Sequence, residues 1–297
     1  MTVLITGGGG FLGGWVVRRL FAQGIDLRVF DRASDRRLVR EIAGSDADNI
    51  DWRTGDVSNP GHVMESAEGC SFIIHLAGLL TPDCANNPIL GAQVNLLGTL
   101  NVFEAAKSQN MKGVAYASSG GIFGSSDGAT PYPMTQYGAF KLACEGSARA
   151  YWTDAGMPSI GFRPTIIYGP GRETGLTAGP TLACREAVAG RAYTIGYSGK
   201  QDLIYVDDAA AAFVAAALNP FDGAHAFSLI GATEDVPDII AAIKSHVPEA
   251  EIDFAGDEVP MAAVITPTPF EHILGPQPRI PLTTGIAQTI AHYKNLS

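Results

Sequence analysis

The chain opens with TVLITGGGGFLGGWVVRRLF, residues 2–21. Thr2 to Thr6 is a short apolar run that predicts a strand, and Trp15 to Phe21 has the apolar spacing of a helix. The glycine-rich turn between them, Gly7 to Gly14, lets the backbone approach a pyrophosphate closely, because glycine has no Cβ. The helix behind it offers free N–H groups to that anion. Strand, glycine turn and helix together predict a dinucleotide site.

The spacing of the glycines leaves the register open. Gly7, Gly10 and Gly13 fit G-x-x-G-x-x-G, while Gly8, Gly10 and Gly13 fit G-x-G-x-x-G. A second predicted strand, Leu27 to Phe30, ends in Asp31, about 20 residues further on, where a carboxylate can accept both ribose hydroxyls of NAD and repel the 2′-phosphate of NADP. Arg32 can favour that phosphate, so the sequence predicts NAD, with NADP less favoured.

Composition limits the classes of partner. The 297 residues are 46% hydrophobic and 17% charged, with a net charge of −10 and no basic run, which argues against nucleic acid and anionic membranes. The four cysteines, 70, 84, 144 and 184, are widely spaced and predict neither a metal site nor a disulfide framework. Isolated thiols, a strand beginning at residue 2 and the lack of a membrane-length apolar run predict a cytoplasmic protein without a signal peptide.

Strands and helices alternate through the first half of the chain. This pattern predicts an α/β fold, a doubly wound parallel Rossmann sheet, with residues 1–170 as the dinucleotide-binding domain. Residues 171–297 predict a smaller C-terminal substrate-binding lid, of which 203–232 packs back on the first domain. We expect one strand over 159–167 and long helices over 92–108 and 135–155. Ligands of such sheets bind beyond the carboxyl ends of the strands.

Tyr137 and Lys141 lie four residues apart in a predicted helix and therefore share one face. A free phenol titrates near pH 10, and a neighbouring ammonium favours the phenolate. Tyr137 can then take a hydroxyl proton while hydride leaves the carbon for NAD. Ser119 follows a predicted strand and can hydrogen-bond the same hydroxyl. These residues predict a Ser-Tyr-Lys catalytic site.

The chain resembles the extended short-chain dehydrogenases/reductases, the branch called the NAD-dependent epimerase/dehydratase family. The resemblance covers nearly the whole chain. It rests on TGGGGFLG (6–13), Asp31, GDV (55–57), HLAG (75–78), Asn95 with GTLNVFE (98–104), Ser118-Ser119, YGAFK (137–141) and YGP (168–170).

The resemblance implies roles for individual residues. Ser119 and Tyr137 would be the catalytic pair, and Lys141 would also bind the nicotinamide ribose. The implied contacts of the pyrophosphate, the adenosine and the rest of the cofactor are Gly7, Gly10, Phe11, Leu12, Gly13, Asp31, Asp56, Val57, Leu76, Ala77 and Gly78. We also expect Arg32, Asn95 and Pro164 near the cofactor. A homodimer is implied too, in which helices near 92–108 and 136–155 form a four-helix bundle.

Departures from the family pattern bear on the reaction. Gly120 and Gly121 stand where the dehydratases have Asp-Glu, which argues against dehydration. Ile166 replaces the Asn of nucleotide-sugar epimerases, QDLIY (201–205) replaces their Arg-Asp-Tyr/Phe-Ile-His, and no Arg-x-Gly-Asp lies between 256 and 281. A buried diphosphate needs such partners. These losses argue against a nucleotide-sugar substrate.

Candidate substrate contacts are Thr81, Ser118, Ser119, Thr165 and Arg172. The segment Arg163-Pro164-Thr165 is similar to that of the family's sugar-acid dehydrogenases, and Arg172 can pair with a carboxylate or lie as a surface residue in its loop. We expect His75 to be structural, and Glu173, Asp202 and Asp207 to be solvated or lid-hinge charges.

The favoured function is an NAD-dependent oxidoreductase that transfers hydride between NAD and a hydroxyl of a sugar, sugar acid or similar small polyol. One alternative is a nucleotide-sugar (UDP-sugar) 4-epimerase with tightly held NAD. A second is a non-catalytic NAD-binding sensor or scaffold.

Overall fold

The computed structural model describes residues 1–125, 127–259 and 261–296. Its strands are β1 Thr2–Thr6, β2 Asp26–Asp31, β3 Asp51–Thr54, β4 Phe72–His75, β5 Val114–Ala117, β6 Ser159–Pro164, β7 Ile166–Tyr168, β8 Tyr193–Ile195, β9 Lys200–Tyr205, β10 Ala224–Leu229, β11 Ala232–Asp235 and β12 Ile252–Phe254. Its α-helices are α1 Phe11–Ala22, α2 Arg37–Ala43, α3 Pro60–Ala67, α4 Thr81–Asn86, α5 Pro88–Ala92, α6 Gly98–Ser108, α7 Gln136–Ala155, α8 Gly179–Val188, α9 Val206–Leu218, α10 Val236–Lys244, α11 Glu271–Leu274 and α12 Leu282–Leu296. Short 3₁₀ turns cover Ser45–Asn49 and Gly120–Phe123, and a π turn covers Gln93–Leu97.

The main sheet has seven parallel strands in the order β3-β2-β1-β4-β5-β6-β10. Successive residues of β1 point to opposite faces. Val3 and Ile5 join the core that contains α1 and α9, whereas Leu4 joins the core that contains α3 and α6. Both faces are therefore covered by helices, and the predicted doubly wound α/β fold is confirmed.

Two sequence predictions about elements are wrong. The single strand expected over 159–167 divides at Pro164: β6 stays in the main sheet, and β7 joins β9 and β11 in a separate three-stranded sheet. Proline has no N–H for a sheet hydrogen bond, so it ends the first strand's pairing. The long helix begins earlier than residue 92, because α5 starts at Pro88 and continues through the π turn into α6.

The C-terminal part supplies one wall of the ligand edge. Here β8 pairs with β12, and α8, α10 and α12 pack around them, while α9 packs on α1 and β10 completes the main sheet. The loop after β7 is held from two sides: the Trp15 indole donates to the Pro170 carbonyl at 3.0 Å, and the Gly171 N–H donates to the Tyr293 hydroxyl at 3.4 Å.

None of the helices in the described residues has both the length and the apolar character needed to cross a membrane.

Candidate active site

A cleft of about 570 Å³ lies at the carboxyl edge of the main sheet. Its floor is the glycine turn after β1, the segment after β4 and the segment after β5. The loop after β7, residues 171–177, forms the opposite wall together with Val259 and Met261. The cleft therefore occupies the position where open parallel sheets bind their ligands.

The glycine turn leaves no room for side chains. Gly7 has φ +70°, and a Cβ there would lie 2.6 Å from the Ala77 nitrogen. A Cβ on Gly13 would lie 2.6 Å from the Gly8 Cα and would also overlap the Gly7 carbonyl oxygen. No described side chain caps the first turn of α1, so its N–H groups face the cleft for an anion. The turn has the shape that a dinucleotide pyrophosphate requires.

Asp31 is fixed beside this turn. Its carboxylate accepts hydrogen bonds from the Gly9 N–H at 3.0 Å and the Ala33 N–H at 3.2 Å. Each oxygen keeps a further lone pair, because a carboxylate has about four acceptor positions. Asp31 is therefore placed to accept ribose hydroxyls at the end of the glycine turn.

Tyr137 enters the cleft from the first turn of α7. The Thr135 hydroxyl caps that helix by accepting the Gly138 N–H at 3.0 Å. Gly138 packs directly on the turn that follows Ser119, because a Cβ there would lie only 2.5 Å from the Gly121 carbonyl oxygen. This close approach sets the position of Tyr137 relative to Ser119.

Ser119 and Tyr137 lie on either side of Gly121. A Cβ on Gly121 would be 3.3 Å from the Ser119 Oγ and 4.0 Å from the Tyr137 ring. The Ser119 Oγ accepts the Gly121 N–H at 3.0 Å, which leaves its own O–H free to donate. The absence of a side chain at 121 keeps the space between the two hydroxyls open for a reacting oxygen.

Lys141 lies one helical turn after Tyr137 and is 4% exposed. Its Nζ donates to the Ala117 carbonyl at 2.7 Å and lies 5.6 Å from the centroid of the Tyr137 ring. It also lies 3.6 Å from the point where a Gly78 side chain would begin. The ammonium is therefore held between the tyrosine and the cofactor side of the cleft.

A buried ion pair supports the segment that carries Ser119. Glu145, one turn after Lys141, is 1% exposed and accepts from the Ser118 hydroxyl at 2.6 Å. Arg163 donates to both oxygens of Glu145, at 2.7 and 2.6 Å, and its guanidinium stacks 5.5 Å from the Phe123 ring centroid. One face of α7 thus supplies a base candidate, a cation and an anchor for the Ser119 segment.

His75 is buried behind the site. Its ring nitrogens contact the Thr6 hydroxyl at 2.6 Å and the Thr99 hydroxyl at 3.0 Å. Burial and the charge of Lys141 lower the pKa of His75 to about 3, so the ring is neutral at physiological pH. These hydrogen bonds connect β1, β4 and α6, so His75 has a structural role.

The model of the NAD-dependent epimerase/dehydratase family matches residues 3–229 of the chain, most of its length. The chain belongs to this family. NAD is accordingly its cofactor.

Known relatives catalyse different reactions. The UDP-glucose 4-epimerase of Mycolicibacterium smegmatis is 29% identical over 100% of both chains. The 2-alkyl-3-oxoalkanoate reductase of Stenotrophomonas maltophilia is 29% identical over 71% of this chain and 64% of its own. The fold is similar to that of the Thermus thermophilus UDP-glucose 4-epimerase solved in complex with NAD, with a TM-score of 0.84 and 23% identity over 100% of both chains.

Most of the site residues predicted from the sequence line the cleft. These are Gly7, Gly10, Phe11, Leu12, Gly13, Leu76, Gly78, Thr81, Ser118, Ser119, Tyr137, Pro164, Thr165 and Arg172. The others are not among the residues that line it: Asp31, Arg32, Asp56, Val57, Ala77, Asn95 and Lys141. Asn95 is fully buried, and its side-chain amide pairs with the backbone of Leu79 at 3.1 and 3.2 Å, so it supports the segment that follows Gly78.

Four side chains have partners that the sequence does not reveal. The Ser118 hydroxyl is engaged with Glu145, and the Thr165 hydroxyl donates to Asp202 at 2.5 Å. Asp202 is 1% exposed rather than solvated, and burial raises the pKa of its carboxyl. Asp207 pairs with Arg19 at 2.6 Å. Of the predicted substrate residues, Ser119, Thr81 and Arg172 therefore keep more freedom to bind a ligand.

Sequence reasoning missed part of the lining. The missed residues include Asp35, Arg37, Leu38, Leu80, Thr135, Glu173, Leu176, Thr177, Val259 and Met261. Thr135 had a local signal, because a threonine directly before a helical run is a typical N-cap. Val259 and Met261 had none, since they lie in a proline-rich connection that only the tertiary fold places beside Gly120 and the cleft.

Proposed function

We propose that the protein is an NAD-dependent epimerase that oxidises a secondary alcohol of a sugar-like substrate and reduces the resulting ketone again in the same site. The observation that carries this proposal is the meeting of Tyr137, Lys141 and Ser119 at the carboxyl edge of the sheet, beside a glycine turn shaped for a dinucleotide.

The chain's own groups supply the proton chemistry. Tyr137 accepts the proton of the reacting hydroxyl, and the nearby Lys141 ammonium stabilises the phenolate that does so. Ser119 donates its free O–H to the oxygen that becomes a carbonyl. NAD, when bound, supplies the hydride acceptor and later the donor. In the return step the ketone presents its other face, Tyr137 gives the proton back, and the substrate leaves with inverted configuration and no net oxidation.

The relatives support an epimerase. The departures from the family's sequence pattern favour a dehydrogenase instead. One relative that matches the whole length of this chain is a UDP-glucose 4-epimerase, so a nucleotide sugar is the substrate we propose first. Dehydration has no support from the site, because Gly120 and Gly121 offer no acid to a leaving hydroxyl.

A dehydrogenase acting on a sugar acid or similar hydroxy acid is the second candidate. It is favoured by the lining of the cleft, where Arg37 and Arg172 are the basic residues among those described and Arg37 is paired with Glu173 at 2.8 Å. Among the described lining residues, this leaves Arg172 as the cation without a carboxylate partner. One cation is enough for a single carboxylate, whereas a nucleoside diphosphate needs more.

The test combines both reactions in one experiment. Purified protein is incubated with UDP-glucose, UDP-galactose, free sugars and sugar acids, while NADH absorbance and product configuration are followed together. Interconversion of the UDP-sugars without formation of NADH supports the epimerase. Formation of one NADH for each sugar acid consumed supports the dehydrogenase instead. Tyr137→Phe is expected to lower either rate roughly 10²- to 10⁴-fold.

A matched control is Tyr132→Phe, which removes the same hydroxyl from a tyrosine that is 67% exposed, and it should leave the rate unchanged. If both variants retain full activity, Tyr137 is not the base. If no substrate turns over but NAD still binds, the non-catalytic sensor takes the place of the enzyme.

We also propose that the protein works as a homodimer through α6 and α7. Ile89, Leu97 and Trp152 expose apolar surface next to or on these helices, which supports a helical interface there. Sedimentation of the wild type and of Leu97→Lys would test it, because a charge inside the interface should yield monomers.

A further inference from the structure

Arg172 lies in the loop after β7 and lines the cleft. Its guanidinium donates to the Ile167 carbonyl and, at 2.8 Å, to the Thr177 hydroxyl. It lies 6.0 Å from the ring centroid of Phe11, which begins α1 beside the glycine turn. A guanidinium has five N–H donors in a fixed plane, so several remain without a partner among the residues described. Arg172 is therefore oriented by neutral oxygens and keeps donors for a ligand.

No carboxylate of the described residues lies within ion-pair distance of Arg172. The acid next to it in the chain, Glu173, pairs instead with Arg37 at 2.8 Å. Arg37 also approaches Glu41 at 3.5 Å, so its charge is balanced within α2 and the loop. This arrangement removes the nearby counter-charge of Glu173 from Arg172 and leaves its guanidinium, among the described residues that line the cleft, without a carboxylate partner.

Such a charge is unfavourable in the free protein. Burial lowers the pKa of Arg172 to about 10, and the nearby Tyr197 and Tyr137 hydroxyls offset that only in part. The side chain is still charged at neutral pH. The side chain is partly buried, and a partly desolvated cation without a counter-charge costs stability, so proteins retain such features mainly where function requires them.

We propose that Arg172 is the anion-binding residue of the active site and that the substrate is an alcohol carrying an oxyanion, a carboxylate or phosphate, which this guanidinium holds while Tyr137 and Ser119 engage the hydroxyl. A planar guanidinium with free donors matches the two oxygens of either group. The inference rests on the proposed function, since it names the substrate class of that same site. It covers both a sugar acid and a nucleotide sugar, and it excludes neutral sugars as good substrates.

The test uses Arg172→Gln and, as a conservative variant, Arg172→Lys. With an anionic substrate, either a UDP-sugar or glucuronate, Arg172→Gln should lower kcat/KM roughly 10- to 150-fold, mostly through KM. Lysine should restore part of the loss, because it keeps the charge but not the planar fork. With the neutral methyl ester of glucuronate the same substitution should change kcat/KM less than about twofold, and which anion gives the larger loss identifies the source of the oxyanion.

Two further measurements separate binding from structure. Arg172→Gln should leave the affinity for NAD and the melting temperature of the free protein close to the wild-type values, because the guanidinium is only partly buried and has no carboxylate partner among the described residues. Arg191→Gln, a change in an exposed arginine outside the cleft, is the matched control and should change nothing at the site. Thr177→Val, which removes the hydroxyl that orients the guanidinium, should raise KM several-fold.

Several outcomes would overturn the proposal. A loss of NAD affinity equal to the loss in kcat/KM would assign Arg172 to the cofactor pyrophosphate. A fall in melting temperature would show that Arg172 has a structural role instead. Equal effects on the acid and its ester would exclude anion recognition. Calorimetric titration of glucuronate and UDP-glucose into NAD-loaded Tyr137→Phe, with and without Arg172→Gln, tests binding without turnover. Binding that depends on Arg172 in this titration would support anion recognition even if the epimerase proposal failed.

Discussion

Replacing Glu145 by glutamine tests whether the buried ion pair stabilises the catalytic segment. The carboxylate accepts one hydrogen bond from Ser118 and two from Arg163, and it is 1% exposed. Glutamine has nearly the same shape but only one acceptor oxygen, and its amide N–H groups would face the guanidinium. The substitution therefore leaves Arg163, which is only 14% exposed, without its counter-charge.

The expected cost follows from these contacts. The glutamine oxygen can keep the two hydrogen bonds to Oε1, from Ser118 and from the Arg163 Nε, but the bond from the other Arg163 nitrogen to Oε2 is lost, and hydrogen bonds that involve a charged group contribute about 1.5–3 kcal/mol each. The guanidinium also loses its counter-charge, and removing one partner of a buried ion pair costs about 3–5 kcal/mol in all. With a urea dependence near 3 kcal/mol/M, the unfolding midpoint should fall by roughly 1–1.7 M.

Urea unfolding followed by circular dichroism measures this change. Glu104→Gln is the matched control, because Glu104 also accepts from a cation and a hydroxyl, Lys107 and Tyr151, but is exposed, and its loss should cost less than about 1 kcal/mol. The double variant Glu145→Met with Arg163→Met should return most of the stability, since it removes both charges. The reasoning is refuted if Glu145→Gln unfolds within 0.3 M (roughly 1 kcal/mol) of the wild type.

Three further predictions concern the glycine turn, the cofactor acid and the buried histidine. Gly13→Ala places a Cβ 2.6 Å from the Gly8 Cα, so we expect NAD affinity to fall at least about tenfold by fluorescence titration, while Gly196→Ala, in open space, leaves it unchanged. Asp31→Ser removes the charge that repels a 2′-phosphate and should raise the NADP/NAD ratio of kcat/KM roughly 10-fold or more; an unchanged ratio would place the ribose elsewhere. Because burial lowers the pKa of His75 below its unfolded value, the unfolded chain binds more protons from pH 6.5 down to about 3, and stability should fall by up to about 1.4 kcal/mol per pH unit over that window. His75→Asn should flatten this slope in urea unfolding at pH 5, 6 and 7, and an equal slope in the variant would contradict the assignment.

The parts of the fold that sequence reasoning predicted depend on local patterns. The glycine turn is flanked by a strand and a helix within 21 residues, and Tyr137 and Lys141 lie on one face of one helix, so their arrangement follows from chain geometry alone. The parallel sheet follows in the same way from alternating elements.

The parts that it missed depend on distant contacts. The Ser118 hydroxyl is engaged by Glu145, 27 residues away, and Asp202 is buried by contacts with Thr165, 37 residues before it, and with the backbone of Gly231. Strand β9 has no alternating pattern that marks it, because it is buried from Gln201 to Tyr205 between two other short strands. Side chains of this kind take their roles from tertiary partners, which no local window contains.

The contact between the Gly171 N–H and the Tyr293 hydroxyl has a consequence for protein synthesis. Chains leave the ribosome from the N-terminus and fold as their parts emerge. The glycine turn and Tyr137 are made early, but the loop that carries Arg172 gains its support from α12 only after residue 293 has been translated. We therefore expect a nascent chain stalled before α12 to bury much of its sheet yet hold NAD weakly, so that tight cofactor capture follows the synthesis of α12.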